Sequence, residues 1–311
     1  MAAIRNFDQL IETAREAARR HGPRTIAIAG ADQRESVLAA AHAWREGLGR
    51  AILIGDEDRI KEIAQAEHVD LDGITVAHEG DLEMMTRRAA QMVSRGQADL
   101  LMKGRVDTAR FMRGALDKDV GLRTGRLLSH VAVFEMPGYE RLVMLTDAGV
   151  IVAPTIEQKV EIIQNAVAVA HRLGIPLPKV AVLAATEGLN LKIKATVEAA
   201  ILSKMADRQQ ITGCLVDGPL AVDTAMSPEI ARAKGLTGPV AGQADILVVP
   251  NIESGNLLGK AMNYFGGGIL AGVVGGARCP LVVVSRSDPE MSKHVSMALA
   301  LTIVSSQDAN P

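Results

Sequence analysis

The chain has 311 residues, 48% of them hydrophobic, which at about 150 residues per domain is material for two cores. Its 34 Lys and Arg against 36 Asp and Glu leave a formal charge of −2, and aromatic residues make up only 2%. That excludes the basic stripe of a polyanion binder and the stacking platforms that hold single-stranded bases, and it leaves the cores to Ala, Val, Ile, Leu and Met. Cys214 and Cys279 are the two cysteines, too few for a disulfide framework or a thiolate metal site, and they fit a reducing cytoplasm.

In chain order, Asn6 with Gln9 three residues on reads as the capping box of a surface helix that His21-Gly22-Pro23 ends. Its arginines are interleaved with Asp8, Glu12 and Glu16, unlike a transit peptide, and it lacks the apolar centre of a signal peptide. Short β-branched runs then alternate with helical stretches: TIAIAG (25–30), AILIG (51–55), DLLMKG (99–104), HVAVFE (130–135), RLVMLTDAG (141–149), KVAVLAA (179–185), ITGCLVDG (211–218), ADILVVP (244–250) and PLVVVS (280–285). This is an α/β chain. The runs are continuously apolar and no Asn-Gly turn joins them, as expected for parallel strands covered on both faces. The glycine-dense stretch Gly266 to Ala277 is shorter than the ~18 residues a membrane-spanning helix needs. After APT (153–155) a helix is predicted from about Ile156 to Leu173, leading to the proline pair of IPLPKV. A domain boundary is placed there, giving domains over 1–153 and 154–279, with 280–311 a candidate to rejoin the first.

Ligands of open α/β sheets collect beyond the carboxyl ends of strands, so the residues after each run are the places to look for chemistry. No G-x-G-x-x-G follows Gly30, no P-loop spacing surrounds Gly255, and the seven histidines are scattered without a zinc pattern, so neither a dinucleotide nor a catalytic metal is expected. Lys103-Gly104-Arg105 with Thr108 joins a strand to a helix, where backbone N–H groups, a hydroxyl and cations could converge on an anion; the plainer reading makes Thr108 the helix cap. Asp217-Gly218-Pro219 reads as a turn after a strand, with Asp223 starting a helix, and Ser227-Pro228 has the form of a cap followed by proline. Gly255-Asn256 precedes a helix that carries Lys260, either an anion site or a simple asparagine cap. Ser285-Arg286-Ser287-Asp288 sets a hydroxyl beside a guanidinium, suited to clamping a phosphoryl or carbonyl group, and Asp288-Pro289 also has the form of a cap. The cysteines lie in apolar runs and read as core thiols.

The joint occurrence of these loops, in this order, resembles the phosphate acetyl/butyryltransferase family, and within it the butyryltransferase branch. The matching stretches are LMKGRVDTARFMRGAL (101–116), GLRTGRLLSHVAVFE (121–135), MLTDAGVIVAPTIEQK (144–159), VDGPLAVDTAM (216–226), VAGQADILVVPNIESGNLLGKAM (240–262) and VVVSRSD (282–288). The resemblance implies two α/β domains of the isocitrate/isopropylmalate dehydrogenase type with an interdomain cleft, a homodimer, and acyl exchange between CoA and orthophosphate through a ternary complex. CoA is then a substrate, with acyl-CoA, orthophosphate and acyl phosphate as the small-molecule partners and no permanently bound cofactor.

Carried over by residue, Ser285 hydrogen-bonds the reacting group, Arg286 holds the phosphoryl oxygens, and Thr108 and Arg113 match a T-A-x-x-x-R loop that seats phosphate; Lys103, Gly104, Ser129, Asp217, Asp223, Gly255, Asn256 and Lys260 are further candidate substrate contacts in the matching stretches. One departure matters. The aspartate proposed as thiol base in the acetyl branch, seven residues after the serine, is Ser292 here. Asp288 is the nearest carboxylate, and the substrate phosphate dianion is the other candidate, since a thiol near ~8.5 makes a modest demand. No fused hydratase-like or regulatory domain is expected. The rival readings are a dehydrogenase on the same fold, which needs metal-binding aspartates and a nucleotide loop, and a silent acyl-CoA or phosphate sensor, which differs only in turnover.

Overall fold

The computed structural model describes residues 2–285 and 288–305. From the amino end come α1 (Phe7–His21), β1 (Arg24–Ala29), α2 (Arg34–Arg45), β2 (Gly49–Gly55), α3 (Glu57–Ala66), β3 (Ile74–His78), α4 (Leu82–Ser94), β4 (Leu100–Lys103) and α5 (Thr108–Ala115). There follow β5 (Ser129–Glu135), β6 (Val143–Thr146), α6 (Ile156–Arg172), β7 (Lys179–Leu183), α7 (Lys194–Asp207), β8 (Leu215–Leu220), α8 (Val222–Met226), α9 (Pro228–Ala233), β9 (Ile246–Val248) and α10 (Ile252–Tyr264). The chain ends with β10 (Ile269–Gly275), β11 (Leu281–Val282) and α11 (Glu290–Ser305).

These elements form two compact α/β units, named by their place in the sequence: an outer one from residues 7–126 and 271–305, and a central one made largely of residues 127–270, with the first six residues. The crossings fall at 126/127 and 270/271, whereas the sequence reading placed them at 153/154 and 279/280. β5 and β6 lie beyond the first crossing because they pair with each other and β6 pairs with β9. In the outer unit the strand order is β3-β2-β1-β4-β11-β10, parallel except for β10 against β11. In the central unit it is β5-β6-β9-β7-β8, parallel except for β5 against β6.

The antiparallel pairs correct the expectation of parallel strands throughout. The β5–β6 connection turns through Met136-Pro137-Gly138-Tyr139, where Tyr139 N–H donates to Met136 O at 3.1 Å and Gly138 takes φ +82°, a proline-glycine turn in place of Asn-Gly. β3 and β10 are strands that the periodicity did not reveal. β3 is a five-residue edge strand with mixed burial, and β10 is the glycine-bearing run ILAGVVG.

The continuous apolar runs are explained by burial on both faces: Ile26, Ala27, Ile28 and Ala29 of β1 are fully buried. Burying each isoleucine side chain stabilises by roughly 1.5–3 kcal/mol. α11 is the innermost helix, with every residue from Ser292 to Leu301 buried, and it packs on β4 and β11 beneath α1 and α2.

That helix contains a pH-sensitive contact. His294 stacks on His42 of α2 with ring centroids 4.6 Å apart, and Glu46 lies 3.3 Å from His42 Nε2 and 3.8 Å from His294 Nε2 while pairing with Arg15. Glu290 faces His42 Nδ1 at 3.7 Å. Burial, with the charges of His42 and Arg15, pushes the His294 imidazole down to about 4. The unfolded chain, near ~6.5, therefore binds the extra proton first, so this contribution is intact above ~6.5 and is lost as the pH falls from there towards about 4, at up to ~1.4 kcal/mol per pH unit. Thermal unfolding followed between pH 7.5 and 4.5 is expected to show this fall, with a flatter profile for His294→Gln; equal slopes in the two proteins would contradict the assignment.

Candidate active site

Three parallel strands of the outer unit end level with one another. Ala29 of β1 stands opposite Lys103 of β4, and Met102 opposite Val282 of β11. The segments 30–33, 104–108 and 283–285 therefore leave the sheet side by side at its carboxyl end, the position where α/β sheets bind ligands. Lys103, Gly104 and Thr108 lie at the end of β4 and on the segment after it, and Ser285 and Asp288 follow β11, its neighbour in the sheet.

Lys103 is buried, with its Nζ 3.4 Å from Gly104 O. Gly104 is where β4 crosses closest to β1: a Cβ there would lie 2.3 Å from Gly30 O and 2.8 Å from Ala29 O. Its N–H donates to Ala29 O at 2.8 Å and Arg105 N–H to Gly30 O at 2.9 Å. These two N–H groups are spent on β1, so they do not form the anion cradle that the sequence pointed to. The cap of α5 is also corrected: Asp107 is the N-cap, accepting from Arg110 N–H at 2.9 Å, and Thr108 is the first helical residue. Thr108 and Arg113 are exposed, and Arg113 lies in the last turn of α5.

The Ser285 turn is closed on itself, Ser285 N–H donating to Asp288 Oδ2 at 2.7 Å and Asp288 N–H to Ser285 O at 3.2 Å. α11 begins at Glu290, and the N–H groups of Ser292 and Lys293 donate to Pro289 O at 3.0 and 3.4 Å. The Asp288 carboxylate is tied to the backbone of the serine. Arg286 lies outside the described residues. Ser292 is 2% exposed within α11, which puts the position of the expected base in the core.

In the central unit α10 starts one turn earlier than expected. Asn251 caps it, accepting from Ser254 N–H at 3.0 Å, while Ile252 N–H donates to Val152 O and Gly255 N–H to Asn251 O. Those donors at the helix start are committed, which removes the backbone anion site around Gly255-Asn256. Gly255 serves by lacking a side chain, since a Cβ would lie 2.9 Å from Ala148 Cα and 3.0 Å from Asp147 O. Asn256 and Lys260 are exposed one turn apart on the same face.

Asp217 does not begin a turn: β8 runs through Leu215–Leu220 as the edge strand, and Asp217 Oδ1 accepts from Gly218 N–H at 2.8 Å. Proline is tolerated there because an edge strand has one unpaired side. Asp223 lies inside α8, its Oδ2 3.4 Å from Lys234 Nζ, which also pairs with Glu187 at 3.0 Å. Ser227 caps α9 as its Ser-Pro form foretold. Ser129 is fully buried at the start of β5, and its hydroxyl accepts from Asn165 Nδ2 at 2.9 Å.

Burial pushes the Cys214 thiol up to about 11 and the Cys279 thiol up to about 12, so both are protonated and unreactive at neutral pH. Among the described residues no three His, Cys, Asp or Glu side chains are grouped to hold a metal ion.

Two residues that the sequence reading did not single out are Asp32 and Asp147. Asp32 is 1% exposed and takes both prongs of the Arg105 guanidinium, Nε to Oδ1 and Nη2 to Oδ2, the latter at 2.8 Å. Asp147, 3% exposed, accepts from the N–H groups of Gly149, Val150 and Ile151 at 2.8, 3.0 and 3.1 Å, and so shapes the loop after β6.

Known proteins resemble this chain in sequence and in fold. The family profile described as "Phosphate acetyl/butaryl transferase" matches residues 81–303. The chain belongs to that family. It is therefore a phosphate acyltransferase, and the rival reading of a dehydrogenase falls. A phosphate butyryltransferase of Clostridium beijerinckii is 44% identical over 299 residues, covering 96% of this chain and 98% of that one. The crystal structure of a branched-chain phosphotransacylase from Enterococcus faecalis V583 superposes with a TM-score of 0.81 at 33% identity, over 90% of this chain and 99% of that one. A 4-hydroxythreonine-4-phosphate dehydrogenase from Burkholderia phymatum, 16% identical with a TM-score of 0.51 over 91% of this chain and 98% of that one, shares the fold, the dehydrogenase-like α/β type that the sequence implied. No helix among the described residues is long and apolar enough to cross a membrane.

Proposed function

We propose that this enzyme exchanges a short-chain acyl group between coenzyme A and orthophosphate in a ternary complex, with the chemistry at the carboxyl ends of β1, β4 and β11. The level endings of these strands support the reading most strongly, because they set a cationic, hydroxyl-bearing loop beside the Ser285 turn. Lys103 and Thr108 hold the phosphoryl oxygens, joined by Arg113. Ser285 donates to the reacting group, and Arg286 neutralises the charge that grows on the phosphoryl group as the C–O bond of the acyl phosphate breaks. The CoA thiol attacks the acyl carbonyl directly; the C–S bond forms and orthophosphate leaves.

Asp288 acts as the post that holds the Ser285 turn, since its carboxylate already accepts the Ser285 N–H. The thiol proton then passes to the departing phosphate. Asn256 and Lys260 offer an amide and a cation to the substrate, and Asp217 and Asp223 stand further out as polar contacts. We place the enzyme in the cytoplasm as a homodimer, which fits the reduced thiols and the family resemblance.

A direct transfer leaves no acyl-enzyme. Labelled orthophosphate is expected to enter acyl phosphate only when CoA is present, and exchange at an equal rate without CoA would contradict the ternary complex.

The butyryl-type motifs, the butyryltransferase and branched-chain relatives, and the scarcity of aromatic side chains favour a pocket that accepts butyryl as well as acetyl groups. Two buried methylenes contribute ~1.6 kcal/mol, about fifteenfold in kcat/KM. An acetyl preference beyond about a hundredfold, measured with acetyl-CoA and butyryl-CoA at saturating phosphate, would mean a closed pocket.

A further inference from the structure

We propose that Asp32 is a positioning residue for phosphate binding, acting through Arg105; the inference rests on the placement of the phosphoryl site at the loop after β4. Asp32 is a buried carboxylate in the segment after β1, and Arg105 belongs to the segment after β4. A two-pronged guanidinium–carboxylate pair fixes both the distance and the plane of the guanidinium, which a single contact does not.

The packing around the pair leaves it little freedom. A Cβ on Gly55 would lie 3.0 Å from Asp32 Cβ, and one on Gly30 would lie 2.8 Å from Val106 Cγ2 and 3.1 Å from Arg105 Cγ. Gly30 and Ala31 N–H both donate to Ile54 O at 2.9 Å, so the segment that carries Asp32 is itself fixed to β2. Asp32 is thus a rigid anchor on β1 and β2, and Arg105 is the arm by which it holds the stretch from Lys103 to Thr108 in place.

A phosphate that meets this stretch meets cations whose positions are already set, so binding does not bear the cost of ordering them. The carboxylate also offsets part of the positive charge when phosphate is absent. Removing it leaves the charge but not the geometry. A purely electrostatic role predicts tighter phosphate binding on removal of Asp32, whereas a positioning role predicts weaker binding.

The experiment measures KM for orthophosphate and for acyl-CoA separately, with thermal unfolding as a check on folding. Wild-type turnover is established first, so failure of the acyltransferase reading shows itself before any variant is made. Asp32→Asn and Arg105→Lys are each expected to raise the KM for orthophosphate on the order of tenfold, with the KM for acyl-CoA changed less than about twofold. Because both act through one pair, Asp32→Asn with Arg105→Lys is expected to be no worse than either alone. An unchanged or lowered KM for orthophosphate, equal rises in both KM values, or multiplicative losses in the double variant would overturn the proposal. If Asp32→Asn does not fold, Arg105→Lys and Arg105→Gln decide by the same KM comparison.

Discussion

Arg286→Ala is expected to lower kcat about 10²–10³-fold while the protein remains folded, since loss of one preorganised charge donor typically costs that much of the transition-state stabilisation. The arginine follows Ser285 directly, and Ser285 is exposed where the run after β11 leaves the sheet. In the proposed mechanism its guanidinium meets the charge that grows on the phosphoryl group, so thermal unfolding is expected to shift by no more than a surface substitution usually does, about 0.5 kcal/mol. Arg286→Lys is expected to recover only part of the rate, because a point charge does not match two phosphoryl oxygens as the planar fork does. Retention of more than about a tenth of the wild-type rate by folded Arg286→Ala would remove this residue from the mechanism.

Gly104→Ala is expected to impair both folding and catalysis. The new methyl group would meet the carbonyl oxygens of Gly30 and Ala29 at 2.3 and 2.8 Å, and both are backbone atoms that cannot swing away. Relief requires the ends of β1 and β4 to part, which stretches the hydrogen bonds from Gly104 N–H to Ala29 O and from Arg105 N–H to Gly30 O. Overpacking of this kind costs about 1–3 kcal/mol, and displacing the Lys103–Thr108 loop by even ~1 Å costs on the order of a hundredfold in rate. Gly80→Ala is the control, since nothing lies within 4 Å of the methyl position there. Denaturant unfolding and steady-state rates of the two variants check the prediction; equal behaviour would show that the strand crossing tolerates the methyl group.

Most of the strands that could be read from the sequence are buried on both faces, where the apolar pattern becomes continuous. β1 shows this with four fully buried residues in a row. β8, an edge strand of partial burial, was read from the apolar start of ITGCLVDG. β3 escaped because an edge strand needs only partial cover, and β10 because Gly272 and Gly275 interrupt its apolar run.

The loops that carry Lys103, Thr108 and Ser285 were recognisable by their chemistry, but their adjacency was not: it follows from the register of β1, β4 and β11, which local sequence does not encode. Asp32 stayed hidden for the same reason. It reads as an ordinary loop residue until β1 and β4 lie together and Arg105 reaches it. Caps were misplaced by one residue at α5, where Asp107 stands just before Thr108, and by five at α10, where Asn251 and not Asn256 is the cap.

The account stands most directly on the products formed by the purified protein from butyryl-CoA. With orthophosphate present it predicts release of free thiol matched one for one by butyryl phosphate, captured as the hydroxamate, and no thiol release when orthophosphate is withheld. Thiol release that does not depend on orthophosphate, or saturable binding of butyryl-CoA with no butyryl phosphate formed, would contradict it.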